Sequence, residues 1–290
     1  MNKEKKEVTV VIPTIGEESL PKVIKALNNG SLIPEKILVC IPKEIQNISK
    51  INLDQFSNVE IVAVDGKGQV LQRFIGFSKS KTKYTLQLDS DMIVDKNLIL
   101  ELMKRIENNS DVAVAPLIID ADTKKHQSFL SLRYSKFNSF ELKTLYWVAN
   151  GGDGFKQGII SRSAINFGLD DLVDDIFVEW IPGGCILHRT DNLILENFYP
   201  FHGKAYAEDL FHSLLLSRNG IRLLIANSAF VRIKFIKFKK TEILSFLKEQ
   251  FFYTRAMLLF IRQNGKSRLR YFLFRFLFLL FSLRVKLFKR

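Results

Sequence analysis

The first 116 residues alternate short apolar runs with amphipathic stretches, and that alternation restricts the fold more than any other feature of the chain. Val8-Thr9-Val10-Val11-Ile12-Pro13 reads as a buried strand, Ser19 to Asn28 as a helix ending near Gly30, and Lys36 to Ile41 as a second strand. Val59 to Val64, Tyr84 to Leu88 and Asp111 to Pro116 read as further strands, with helices over Gly68 to Lys79 and Asp95 to Glu107. Apolar strands separated by helices predict an α/β fold with a mostly parallel sheet covered on both faces. Right-handed crossovers place the loops after Ile12 and Leu88 on one edge, where open α/β sheets bind ligands. The stretch from Asp120 to Val178 is less regular. Within it, Asn150-Gly151-Gly152-Asp153-Gly154 is a loop whose glycines serve either turn geometry or close approach to a ligand.

At 290 residues the chain can form one large domain or two smaller ones. Cys40 and Cys185 are the only cysteines, and Met1-Asn2-Lys3-Glu4-Lys5-Lys6-Glu7 lacks the apolar run of a signal peptide. A reducing cytosolic compartment without a disulfide framework is expected.

The charge is sharply divided. Residues 232 to 290 hold 16 lysines and arginines against Glu242 and Glu249, a net of +14, while the first 231 residues hold 27 basic and 28 acidic ones. The same tail carries 12 of the 25 phenylalanines, which separates it from an ordinary solvated basic arm. A boundary is therefore expected after residue 231.

Chemistry concentrates at the end of the fourth strand, where Asp89-Ser90-Asp91 sets two carboxylates one residue apart. Close carboxylates repel unless a cation shares them. Mg²⁺ and Mn²⁺ suit such a pair, being hard ions that take one or two protein carboxylates and complete their shell with substrate phosphates. The alternative is a solvated turn, because Asp and Ser also favour turns. Glu208-Asp209 offers a second acidic pair more than 100 residues later, and acids in a helix's first turn are also favoured by the dipole alone. Phe177 to Arg189 contains Trp180 and the pair Gly183-Gly184 ahead of an apolar strand; this reads either as a sugar-stacking site with close backbone approach or as a hairpin with a core Trp. His188, His202 and His212 cluster near this region and one could complete a metal shell, though a structural role suits each; His126 follows two lysines and reads as solvated.

Val10-Val11-Ile12-Pro13-Thr14, Asp89-Ser90-Asp91 and Ala207-Glu208-Asp209, in that order, resemble the inverting family 2 glycosyltransferases over about residues 8 to 231. The resemblance implies a GT-A fold, a nucleotide-diphosphate sugar donor, Mg²⁺ or Mn²⁺, and inversion at the anomeric carbon. By position it implies that Pro13 and Thr14, with Glu17 and Ser90 beside them, line the nucleotide-sugar pocket and that Arg73 lies on the nucleotide side. It places Asp89 at the ribose or metal, Asp91 on the metal, Asp209 as catalytic base with Glu208 next to it, and Trp180, Gly183 and Gly184 toward the acceptor. One departure stands out. Relatives carry an Asp-rich run after the second strand, whereas this chain reads Leu38-Val39-Cys40-Ile41-Pro42-Lys43-Glu44; Asp65 in Val64-Asp65-Gly66 is a substitute, or an ordinary Asp-Gly turn.

Two helices are expected in the tail. Thr241 to Gln263 carries Tyr253 and Arg255, resembling the Tyr- and Arg-bearing helix of rhamnosyltransferase-like relatives, where a basic residue can meet an acceptor diphosphate. Arg268 to Arg284 is intensely apolar, but Arg275 interrupts it at a cost of roughly 2.5 to 3.5 kcal/mol for a membrane-centred charge. A flat amphipathic helix is expected instead, with Arg268, Arg275, Ser282 and Lys286 along a polar stripe, attached to anionic lipid at the cytoplasmic face of the plasma membrane. The alternative is a core helix or an oligomer contact. The implied acceptor is a lipid-linked glycan of a cell-surface polysaccharide. Nucleic acid is not expected, since the Phe-rich spacing is membrane-like. Two other classes compete with a transferase. A haloacid-dehalogenase-type phosphatase would use Asp89 and Asp91 but needs them on its first strand, and a noncatalytic membrane binder would need only the tail.

Overall fold

The computed structural model describes residues 6–45, 53, 55–122, 137–169, 174–201, 204–234 and 243–288. Two compact units emerge, one within residues 1–126, 173–177 and 181–235, the other within 127–172, 178–180 and 236–290. The second unit thus combines the tail with residues 127–172 and 178–180.

Among the described residues, the first unit is built on a sheet of nine strands. In chain order they are β1 (Lys6–Pro13), β2 (Pro34–Pro42), β3 (Val59–Val64), β4 (Tyr84–Leu88), β5 (Ile93–Val94), β6 (Val112–Asp120), β7 (Ile176–Val178), β8 (Cys185–Arg189) and β9 (Arg222–Ile233). Their order across the sheet is β3-β2-β1-β4-β8-β6-β9-β5, with β7 also paired to β9. Strands β1 to β4 run parallel, and β6 and β9 run parallel to each other. β8 enters antiparallel between β4 and β6, so the long strands on either side of it still point the same way.

Helices cover both faces, as the apolar strands require. α1 (Leu20–Asn28) buries Leu20, Val23, Ile24 and Leu27, and α3 (Leu98–Ile106) buries Leu98, Ile99, Leu102, Met103 and Ile106. Both stripes have the i, i+3, i+4, i+7 spacing of an amphipathic helix. They pack on Val8, Val10 and Ile12 of β1. Val11, one residue out of phase, faces the opposite layer with Phe77 of α2 (Gln69–Lys79). The sequence places the end of β6 at Pro116, which lacks a ladder donor; the strand instead continues through a register shift between Pro116 and Leu117 to Asp120.

The second unit contains α4 (Ser139–Asn150), and the first unit α5 (Glu208–Arg218). α4 starts with a capping box, Asn138 accepting from the Glu141 amide while the Glu141 carboxylate accepts from the Asn138 amide. The tail forms α6 (Ile243–Gln263) and α7 (Arg268–Phe288), the two helices expected there. No helix among the described residues is long and apolar enough to cross a membrane.

Candidate functional site

The parallel half of the sheet delivers two loops to one edge. Thr14 follows β1, and its amide donates to the Cys40 carbonyl at 3.0 Å, tying the loop to the end of β2. Glu17 in this loop accepts from the Thr14 hydroxyl, from the Ile15 amide at 3.3 Å and from Ser90 Oγ at 2.9 Å. One carboxylate thereby fastens the loop after β1 to the Asp89-Ser90-Asp91 turn after β4.

α2 supplies three polar residues to the same edge. Gln72 Nε2 donates to the carbonyls of Thr14 at 2.7 Å and Cys40 at 2.6 Å. Gln69 Nε2 donates to Asp89 Oδ1 at 2.9 Å. Arg73 is buried and reaches furthest: Nη2 donates to Asp89 Oδ1 at 2.7 Å and to the Gly183 carbonyl at 3.0 Å, and Nη1 donates to Glu208 Oε1 at 2.5 Å. Spacing of i, i+3, i+4 on a helix sets the three side chains on one face. Gln69 and Gln72 escaped the sequence reading, although polar residues at that spacing on an otherwise core-facing helix were a usable signal.

Gly183 and Gly184 pack against these groups. Gln87 Nε2 also donates to the Gly183 carbonyl, and the Asp89 amide donates to the Gly184 carbonyl at 2.8 Å. A Cβ on Gly183 would run into Glu208 Oε1, and one on Gly184 into the Met92 methyl. The paired glycines therefore permit close approach of backbone to the Arg73 cluster.

α5 brings in the second acidic pair. Glu208 is buried against Arg73, while Asp209 is half-buried at the start of the helix and its Oδ1 accepts from the Leu210 amide at 3.1 Å. Burial and the adjacent Glu208 charge push the Asp209 carboxyl up to about 7. Ala207, just before the pair, sits in the left-handed region at φ 56°. A non-glycine residue there stores on the order of 1 kcal/mol and fixes the angle at which the helix begins.

Asp91 is exposed, and its pKa is raised by loss of solvation and by the charges of Asp89 and Glu17. Asp89 commits one oxygen to Arg73 and Gln69. This donor set fits a hard divalent ion that completes its shell with diphosphate and water. No group of three His, Cys, Asp or Glu among the described residues is arranged to hold a metal unaided.

The remaining expected residues fall elsewhere. Asp65 is exposed and paired with Lys43 at 2.6 Å, consistent with the turn reading. His188 is fully buried with both ring nitrogens lacking a hydrogen-bond partner, and its ring lies 5.5 Å from that of His212, which stacks on Phe198 at 5.7 Å. Burial lowers both imidazoles, His212 to about 3. They are neutral packing groups beneath Arg73. His126 and His202 lie outside the described residues. In the second unit Trp180 is buried and its indole N–H donates to the Phe167 carbonyl at 2.8 Å. Tyr253 of α6 lies under the Arg275 guanidinium at 5.6 Å, and Arg255 is exposed.

Residues 9–167 match the family described as Glycosyl transferase family 2, and this span exceeds half the chain. The chain belongs to that family. Solved structures agree on the fold of this family 2 member. GalNAc-T7 with UDP, GalNAc and Mn²⁺ superposes with a TM-score of 0.58 at 15% identity, covering 79% of this chain and 43% of that one. A mannosyltransferase from Pyrobaculum calidifontis in complex with GDP-Man and Mn²⁺ gives 0.54 at 10% identity, covering 92% and 67%. S. aureus TarS residues 1-349 in complex with UDP-GlcNAc gives 0.50 at 12%, covering 80% and 60%. The chain thus spans less than half the length of the first of these, about two thirds of the second and three fifths of the third. No curated protein sequence matches it significantly.

Proposed function

We propose that this family 2 member is an inverting glycosyltransferase that moves a sugar from a nucleotide-diphosphate donor to an acceptor hydroxyl. One observation carries the reading. Arg73 ties Asp89, on the turn after β4, to Glu208, beside Asp209, so that two acidic groups far apart in sequence face a common centre. An inverting transfer needs just such a division, with leaving-group stabilisation on one side and a proton acceptor on the other.

In this reading Pro13, Thr14, Glu17 and Ser90 shape the donor pocket. Mg²⁺ or Mn²⁺ bound through Asp91 and Asp89 would offset the charge developing on the departing diphosphate. Asp209 takes the proton from the acceptor hydroxyl, and its raised pKa makes it a stronger base than an ordinary Asp, near the optimum for work around neutrality. Glu208 and Arg73 hold the pair in place. Mn²⁺ in two of the similar structures and nucleotide sugars in two of them support the donor class.

The acceptor is proposed as a lipid-linked glycan of a cell-surface polymer, met at the cytoplasmic face of the plasma membrane. The division of charge supports this, because residues 232–290 carry a net +14 with 12 phenylalanines and suit a peripheral attachment region beside a catalytic region of residues 1–231. The test is Mn²⁺-dependent hydrolysis and transfer across a panel of nucleotide sugars. Turnover of one donor that vanishes in Asp91→Asn and Asp209→Asn is expected; turnover that survives both substitutions overturns the assignment.

A further inference from the structure

The second unit exposes an apolar surface assembled from two distant parts of the sequence. On α7, Tyr271 and Phe274 are buried. Arg275, expected on a polar outer stripe, turns inward instead: Nη2 donates to Gln250 Oε1 on α6 at 2.5 Å, and the guanidinium lies over the rings of Tyr253 and Tyr271. This removes the one charge that interrupts the helix from its outer side. The ridge opposite, Leu269, Phe272, Phe276, Leu279 and Leu283, repeats every three or four residues and is exposed throughout, Leu269 by 79% and Phe276 by 62%.

α4 lies antiparallel against this helix. Arg270 Nη1 donates to the Val148 carbonyl at 2.9 Å at one end, and Arg284 Nη2 to the Glu141 carboxylate at 2.8 Å at the other. α4 adds two exposed aromatics, Trp147 beside Arg270 and Phe140 next in sequence to Glu141, 60% and 73% exposed. Exposed apolar faces of this extent on a soluble domain mark an interaction site.

We propose that this face, the outer ridge of α7 with Trp147 and Phe140 of α4, seats flat in the headgroup region of a bilayer containing anionic lipid. Charge selects the occupant. A second copy would bring one strongly basic tail onto another, whereas an anionic leaflet complements the 16 basic residues of 232–290. Leu, Phe and Trp on one side with arginines at the margins is the composition of an in-plane helix, and none of the described helices can cross. The inference rests on the membrane-surface part of the proposed function and is independent of the transferase chemistry.

The chain's two tryptophans make the test direct, because Trp147 is exposed and Trp180 buried. With phosphatidylcholine–phosphatidylglycerol vesicles carrying brominated acyl chains, Trp147 emission is expected to shift blue and be quenched. Trp147→Phe, whose remaining emission comes from Trp180, should sediment with the vesicles without that quenching. Phe276→Asp should bind at least tenfold more weakly while melting normally, since Phe276 supports no core. Sedimentation with neither quenching of Trp147 nor an effect of Phe276→Asp overturns this face and leaves membrane attachment standing. Failure to sediment overturns both. A Trp147 blue shift without lipid, accompanied by a dimer in light scattering, overturns the proposal in favour of a second copy.

Discussion

Arg73 and Glu208 stand 135 residues apart and meet in a buried ion pair at 2.5 Å, with the second arm of the guanidinium on Asp89 at 2.7 Å. Burial opposes the charge on Arg73, but the two carboxylates outweigh it and hold the guanidinium above its ordinary pKa. The fork geometry of arginine is what allows one side chain to serve both.

Replacing Arg73 by Gln leaves Glu208 buried and uncompensated and releases Asp89. Breaking such a pair from one side costs about 3 to 5 kcal/mol. Urea denaturation should show that loss, and Arg73→Lys should recover only part of it because an ammonium cannot fork.

Asp209→Asn should lower kcat by roughly 100- to 10,000-fold, the range of a lost general base. Donor binding, followed by equilibrium titration, should stay near wild type. In the wild-type enzyme the base must be deprotonated to act. With its carboxyl pushed up to about 7, kcat/KM should fall as one proton is added below that pH and level off above it. A flat profile between pH 5 and 8 would remove Asp209 from the role.

Asp91→Asn removes a charge that Asp89 and Glu17 oppose. Without metal the variant should melt at or slightly above the wild-type temperature, while the Mn²⁺ concentration needed for half-maximal turnover rises at least tenfold. Activity gained at a cost in stability is the expected relation for such a site.

Gly183→Ala sets a methyl against the Glu208 carboxylate, and Gly184→Ala sets one against Met92. Overpacking of this kind costs about 1 to 3 kcal/mol. Gly183→Ala should also lower kcat, since Glu208 and Asp209 share a helical turn; comparing the two variants' melting temperatures with their rates separates packing from positioning.

Much of the first unit was legible in the chain. β1 to β4 and α1 to α3 follow from apolar runs and helical stripes whose patterns are local, and Asp89-Ser90-Asp91 stands out because it ends one of those strands. α4 was not, because it is held by partners remote in sequence, such as Arg270 on its Val148 carbonyl. β8 likewise gains its place between β4 and β6 from long-range pairing that no local pattern encodes.

By itself the sequence determined the α/β layering, the acidic turn after the fourth strand and the gathering of positive charge in the tail, since period, propensity and charge are properties of neighbouring residues. Only the tertiary structure decided that Arg73 joins Asp89 to Glu208, that Trp180 is core, and that Arg275 faces inward and leaves the outside of α7 apolar. Those outcomes depend on which surfaces meet. A side chain's solvent or partner is fixed by which segments pack together in the folded chain: 135 residues separate Arg73 from Glu208 and 25 separate Gln250 from Arg275, and the pattern of neighbouring residues does not encode either meeting.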